Sequence, residues 1–394
     1  MKIYLVGGAV RDKLLGIPTE DRDWVVIGSN PASMMELGYR QVGKDFPVFL
    51  HPTTGEQYAL ARTEKKTGSG HTAFDFNVSS TVTLEDDLKR RDLTINAIAE
   101  GLDGKLIDPF GGLSDIKNKL LKHVSEAFCE DPLRVLRVAR FHAKLSSLGF
   151  SISPDTLRVM SEISQSGELK TLSPERIWQE FQKSLASPSP DKFILTLEKC
   201  GALKALLPEM NIALQTLNSL SCASTLTKET NIRYAALMND IGKSLSDNSN
   251  QGKHVKSYEY ELQLQLQSLI KERFNVPNDH AVLAALVCEH HQKMCRLKEL
   301  GADELLSIIE SLDAIRRPER FERFLTVCEA ISKTSSKNLN YSRTNLLSEV
   351  LKIVSNIDVK KLLRNQPEQQ AREVVRQYRL QLINKYITEP SEGI

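Results

Sequence analysis

The chain has 394 residues, enough for two or more domains with sizeable cores. Its 41% hydrophobic and 26% charged content is that of a soluble globular protein, and no apolar run approaches the roughly twenty residues of a membrane span. A formal net charge of +2 excludes a whole-protein field for nucleic acid, so any RNA surface must be a local patch. Met1-Lys2 passes straight into a strand pattern with no signal peptide. The cysteines at 129, 200, 222, 288, 295 and 328 lack C-x-x-C spacing. The expectation is a cytoplasmic protein with reduced thiols.

Ile3 to Val6 is a short apolar run, read as a buried strand. Gly7 and Gly8 let the backbone approach a ligand closely, and Ala9 to Leu15 then reads as a helix closed by Gly16. Such a junction aims free N–H groups at an anion, and Arg11 adds a full charge there. The next strand, Trp24 to Ile27, is entered through Asp21-Arg22-Asp23. Residues i and i+2 of a strand share a face, so the carboxylates of Asp21 and Asp23 stand roughly 6–7 Å apart at their stems. That spacing lets both converge on Mg²⁺, as phosphoryl transfer needs. A Gly-Gly turn alone is common and a D-x-D alone is usually a solvated strand end; together they are far more specific.

GGAVRD followed by EDRDWVV resembles the head of the class II tRNA nucleotidyltransferase/poly(A) polymerase family, most closely its bacterial CCA-adding members. The resemblance covers the first two hundred or so residues. It implies Asp21 and Asp23 as catalytic metal ligands, and Gly8 and Arg11 at the nucleotide triphosphate.

Ser29-Asn30-Pro31 reads as a helix start and Gly38 as its stop. Pro47 to His51 and Gln57 to Thr63 read as a hairpin around Thr53-Thr54-Gly55. Glu64 to Thr83 is polar and Gly/Ser-bearing, its first half a mobile loop. In the family a flexible loop here is needed for the final A, and enzymes adding only CC lack it. Leu88 to Ala99, LKRRDLTINAIA, reads as a helix packed by one side, with Asp92 and Asn96 on one face beside Arg91. An Arg pair is routinely just solvated, but this set matches the family's R-R-D motif, which implies that Arg91 meets phosphate while Asp92 and Asn96 read the sugar.

From Glu130 the chain turns helical, EDPLRVLRVARFHAKL. Asp131, Arg134, Arg137 and Arg140 recur every three residues, opposite Leu133, Leu136 and Phe141. They drift only about 60° per step and form one slanted stripe. Arginines alone would be an ordinary solvated face; Asp131 among them suggests a binding wall. Glu130, Asp131 and Arg134 match the family's E-D-x-x-R motif, implying that Asp131 and Arg134 read the incoming base, with Arg137 and Arg140 in support. Ser153-Pro154, Ser173-Pro174 and Ser189-Pro190 then read as three capped helix starts.

Ala235 to Lys243, AALMNDIGK, looks like the HD-domain signature with Asn239 in the histidine position, leaving Asp240 without its partner. His254 is a lone histidine where relatives carry two, and His290-His291 point about 100° apart on a helix. The relatives' accessory phosphatase and phosphodiesterase activities are therefore not carried over. The terminal stretch from Glu368 to Ile387 reads as a helix whose Arg372, Arg376 and Arg379 either meet phosphate or are solvated.

The fold expected is α+β: a small mixed-sheet nucleotidyltransferase head (1–128), then an all-helical neck (129–200), a degenerate HD-like body (201–292) and a tail (293–394) contacting tRNA. The function expected is template-independent addition of C, C and A to tRNA lacking a complete CCA end, from CTP and ATP with Mg²⁺ and no membrane. The sequence sets no oligomeric state. Rivals are a poly(A) polymerase, a partial CC- or A-adding enzyme, an RNA-binding protein with a dead site, and a metal phosphohydrolase. Intact Asp21, Asp23 and Arg91 weigh against a dead site, and Asn239 against the hydrolase.

Overall fold

A computed structural model describes residues 1–19, 22–42, 48–66, 74–77, 81–210, 213–242, 255–334, 344–364, 367 and 370–388. It divides into two compact units, Met1–Pro208 and Glu209–Ile394.

The first unit opens with a seven-stranded mixed sheet. Its strands are β1 (Lys2–Val6), β2 (Asp23–Ile27), β3 (Arg40–Val42), β4 (Val48–Leu50), β5 (Gln57–Leu60), β8 (Ala99–Gly101) and β9 (Leu106–Ile107), in spatial order β3-β4-β5-β2-β1-β8-β9. Only the β2–β5 pair is parallel. Both faces of β2 are covered: Val25 packs with Val6, Leu88, Ala97 and Ala99, and Val26 with Met34, Phe49, Tyr58 and Leu60. Two-sided burial is why its sequence is a continuous apolar run rather than an alternation. Asn30 caps α2 (Pro31–Glu36), as expected.

Two expectations fail in the head. Within Glu64 to Thr83, β6 (Thr63–Lys66) and β7 (Phe74–Asn77) pair antiparallel. Phe74-Asp75-Phe76-Asn77 has the two-residue period of a strand, masked by its polar neighbours. Residues 67–73, the heart of the expected loop, lie outside the described residues. Nor is Leu88 to Ala99 one helix. α3 (Leu84–Lys89) ends at Arg90, a single 3₁₀ turn spans Thr94–Asn96, and the chain enters β8 against β1. Residues 92–99 are all buried, so no solvent-facing side exists to support a helical stripe. The turn packs so closely on α4 (Gly112–Lys117) that a Cβ at Gly112 would lie 2.2 Å from the Thr94 carbonyl oxygen.

Helices α5 (Leu133–Leu145), α6 (Pro154–Ser166), α7 (Pro174–Leu185), α8 (Pro190–Lys199) and α9 (Ala202–Leu206) complete the unit, α5 packing on α7 and α8. One short parallel pair, Leu120–Leu121 with Ser151–Ile152, lies among them. Ser153 and Ser173 cap their helices through the hydroxyl; Ser189 makes no such bond.

The second unit is helical among the described residues: α10 (Leu214–Leu226), α11 (Thr230–Met238), α12 (Val255–Phe274), α13 (Asn278–Met294), α14 (Ala302–Ser311), α15 (Pro318–Thr334), α16 (Thr344–Ser355), α17 (Val359–Leu363) and α18 (Ala371–Thr388). Arg376 of α18 pairs with Asp303 and Glu310 on α14, and Arg379 reaches Glu310. No helix among the described residues is long and apolar enough to cross a membrane.

Candidate active site

The antiparallel register of β1 on β2 sets Val6 opposite Asp23. The glycines that follow β1 therefore stand beside the carboxylate that opens β2. Gly7 turns the chain at φ +72°, and a Cβ there would meet Arg91 Nη1 at 2.8 Å. α1 (Gly8–Leu14) then carries Arg11 and Asp12 inward, both buried. Gly7, Gly8, Arg11 and Asp23 line a cleft of 780 Å³ whose opposite wall is α5 and α7. Asp23 is exposed and lines the cleft, where its carboxylate offers a hard oxygen donor of the kind divalent cations take. Asp21 lies outside the described residues.

Arg11 is fixed on three sides. Its Nε and Nη2 donate to Asp12 Oδ1 at 2.9 and 2.7 Å, and its Nη1 donates to Asn96 Oδ1 at 2.5 Å. Lys144 of α5 donates to the other Asp12 oxygen at 2.9 Å. Asn96 in turn donates to Asp92 Oδ1 at 2.9 Å, as does the Leu93 N–H at 2.8 Å. Asp92 Oδ2 accepts from Arg137 Nε at 2.8 Å and lies 2.7 Å from its Nη2. Burial works to raise the Asp92 carboxyl, but the Arg137 charge, the Asn96 amide and Arg134 override it and hold the group well below the usual carboxylate range. Asp92 and Asn96 thus meet as expected, through a tight turn rather than a helix face.

Arg91 donates from Nη1 to the Asn96 carbonyl at 3.5 Å and from Nη2 to Asp87 at 3.2 Å. Asp87 is fully buried and also accepts from Arg90 at 2.7 Å. Burial would raise Asp87, yet the two arginines leave it lowered, an ionised anchor beneath the pair.

Asp131, Arg134, Arg137 and Arg140 all line the cleft. Asp131 precedes the helix, accepting from the Leu133 N–H at 3.0 Å and from Arg176 Nη2 at 2.8 Å. Arg134 is buried and donates to the Ala127 carbonyl at 2.5 Å. Asp131 thus forms a carboxylate–guanidinium pair with Arg176. Arg140 Nε donates to the buried Glu180 at 2.5 Å. Phe141, expected on the opposite side, lies among the arginines and lines the cleft. It stands four positions from Arg137, one helical turn, so it shares that face.

Sequence reading missed Asp12, Asp87, Phe141, Lys144, Arg176 and Glu180. Lys144 continues the Arg137–Phe141 face by one turn, and Arg176 with Glu180 share a face of α7 at i, i+4; both signals stood in the sequence.

The family model for the poly(A) polymerase head domain matches residues 3–122, and that for the probable RNA- and SrmB-binding site of polymerase A matches 149–214. A multifunctional CCA protein of Vibrio parahaemolyticus is 44% identical, covering 93% of this chain and 94% of its own. One from Acinetobacter baumannii is 43% identical, covering 98% of each. Among solved structures, a Thermotoga maritima CCA-adding enzyme complexed with tRNA is 20% identical with a TM-score of 0.69, over 100% of this chain and 88% of that one. The apo form II of a CCA-adding enzyme gives 0.70 at 21% identity, over 97% and 88%. These likenesses match the seven-stranded head and helical remainder described above.

Proposed function

Since the chain belongs to the family of the multifunctional CCA proteins, we propose that it adds C, C and A to the 3′ end of tRNA from CTP and ATP, without a nucleic-acid template. The observation that carries this reading is the β1–β2 register, which sets the glycine turn beside Asp23 under a wall of arginines. Solved relatives described as complexed with tRNA, with ATP and with CTP support it.

In the reaction, the terminal 3′-oxygen of the tRNA attacks the α-phosphorus of the nucleotide and pyrophosphate leaves. Gly8 and Arg11 hold the triphosphate. Arg91 meets phosphate, while Asp92 and Asn96 orient the ribose. Asp131 accepts from the exocyclic amine of cytosine or adenine. Arg134 and Arg176 supply the guanidinium side of that wall, and Arg137 and Arg140 brace it. Nucleotidyltransferases of this family are in general metal-dependent. Asp21 and Asp23 would hold Mg²⁺, which would supply activation of the 3′-hydroxyl and charge neutralisation at the leaving group.

The head spans 1–128, the neck 129–200, the body 201–292 and the tail 293–394, with the tail gripping the tRNA by shape and charge. The body is a degenerate HD-like domain. Asp240 accepts from Thr216 at 3.3 Å and from Asn239 Nδ2 at 3.1 Å, which spends its carboxylate on structure. The protein acts in the cytoplasm.

Incubation with tRNA lacking CCA, followed by sequencing of the 3′ ends formed with CTP, ATP or both, tests the reading. Ends completed to CCA only with both nucleotides are expected. A ladder of A alone would assign a poly(A) polymerase instead, and a stop at CC a partial enzyme.

A further inference from the structure

The face of α5 turned to the cleft carries Arg137, Arg140, Phe141 and Lys144, at i, i+3, i+4 and i+7. Phe141 is only 5% exposed, and three guanidinium carbons gather around its ring. Arg140 lies 4.3 Å from the centroid, Arg11 5.0 Å and Arg137 5.8 Å. Arg11 comes from the glycine-turn end of the cleft, whereas Arg137 and Arg140 come from α5. The same two ends are joined through hydrogen bonds, Arg11 to Asn96 to Asp92 to Arg137. Phe141 closes that chain into a circuit.

Three like charges converging on one point repel, and carboxylates offset them: Asp12 for Arg11, Asp92 for Arg137, and Glu180 for Arg140 and, at 3.8 Å, for Arg137 as well. Those pairs neutralise the cations but do not direct them inward. The negative face of the aromatic ring does. An aliphatic side chain would fill much of the space without the attraction.

We propose that Phe141 is a positioning residue whose ring holds Arg11, Arg137 and Arg140 in register, so that the triphosphate end and the α5 wall bind one nucleotide as a unit. This rests on the nucleotide-binding reading of the cleft. Its consequence is that losing the ring weakens CTP and ATP alike, because the triphosphate contact made through Arg11 is common to both nucleotides.

The test compares Phe141→Leu, Phe141→Met and Phe141→Tyr with the unaltered full chain. CTP and ATP binding are measured by calorimetry, KM and kcat with tRNA lacking CCA, and Tm for each protein. Leu and Met should weaken binding of both nucleotides by roughly five- to thirtyfold, with kcat at saturation within about threefold, while Tyr stays within about twofold of the parent. Met fills irregular space well and guards against a Leu variant that fails to fold. Equal weakening by Tyr and Met, or binding unchanged in Leu and Met, overturns the proposal; a fall in Tm alone marks Phe141 as core filling. A parent that binds CTP without transferring it sinks the proposed reaction but still judges Phe141 by binding. A parent that binds neither nucleotide overturns both.

Discussion

Arg176 Nη2 lies 2.8 Å from Asp131 Oδ2, joining α7 to the residue that starts α5. The carboxylate that the base-reading hypothesis assigns to an exocyclic amine already carries a guanidinium partner. Cytosine and adenine each present an amine beside a ring-nitrogen acceptor, which a carboxylate beside a guanidinium matches. Uracil presents O4 and N3–H in those places, so carboxylate meets carbonyl. Such a mismatch costs roughly 1–3 kcal/mol for each unpaired group in a buried site.

Asp131→Ala should therefore relax discrimination against UTP by roughly five- to 150-fold in the kcat/KM ratio of CTP to UTP. Arg176→Ala should shift the same ratio, since it frees Asp131 and removes a donor. Measurement on tRNAs ending before C, CC and A checks both. A ratio unchanged in both variants would move the base-reading wall elsewhere on α5.

Asp23→Asn should abolish nucleotide addition while leaving Tm within about 2 °C of the parent. Asp23 is exposed at the strand end, so its charge adds little to stability. Near-normal turnover with Mg²⁺ in this variant would refute the carboxylate assignment.

Much of the head was legible because its signals were local. The continuous apolar run Trp24 to Ile27, the Asn30 cap and the Gln57 strand each announce themselves within a few residues. Leu88 to Ala99 was not, because its apolar residues are buried by tertiary neighbours on every side: β1, α4 and the Lys122 carbonyl that accepts from Thr94. Burial on all sides erases the period on which helix and strand are told apart. The site divided the same way. Motif spacing found Arg11, Asp92, Asn96 and the α5 arginines, but the counter-charges of Arg137 and Arg140 lie far off in sequence. Glu180 is forty residues from Arg140, and Lys144 stands 132 from Asp12. No local pattern pairs such residues; only the fold does.

Gly7→Ala tests the close approach at the glycine turn. The substitution imposes φ +72° on an L side chain and sets its Cβ 2.8 Å from Arg91 Nη1. The strain should cost about 1 kcal/mol of stability, and displacement of Arg91 should raise KM for both nucleotides. Denaturant unfolding and steady-state kinetics read the two effects separately. A variant with parental stability and KM would show that neither the backbone nor Arg91 is constrained there.

Acid should loosen α5 from α8 through His142. Its Nδ1 lies 2.8 Å from Thr196 Oγ1, and that hydroxyl donates to the Lys192 carbonyl. The imidazole therefore donates, and it is held neutral. Burial, with Lys192 and Lys199 nearby, pushes its pKa down to about 4. In the unfolded chain the group titrates near its ordinary value of about 6.5. Between those two values the unfolded state binds the extra proton, so stability falls as pH falls through this window. The sign follows from linkage: stability rises with pH wherever the unfolded state holds more protons. From pH 7 to pH 5 the loss from this residue should be about 2 kcal/mol. His142→Gln keeps an N–H donor but cannot gain charge, so its denaturant stability should fall less over the same range by that amount. Equal pH slopes for the variant and the parent would show that His142 is not the group that titrates.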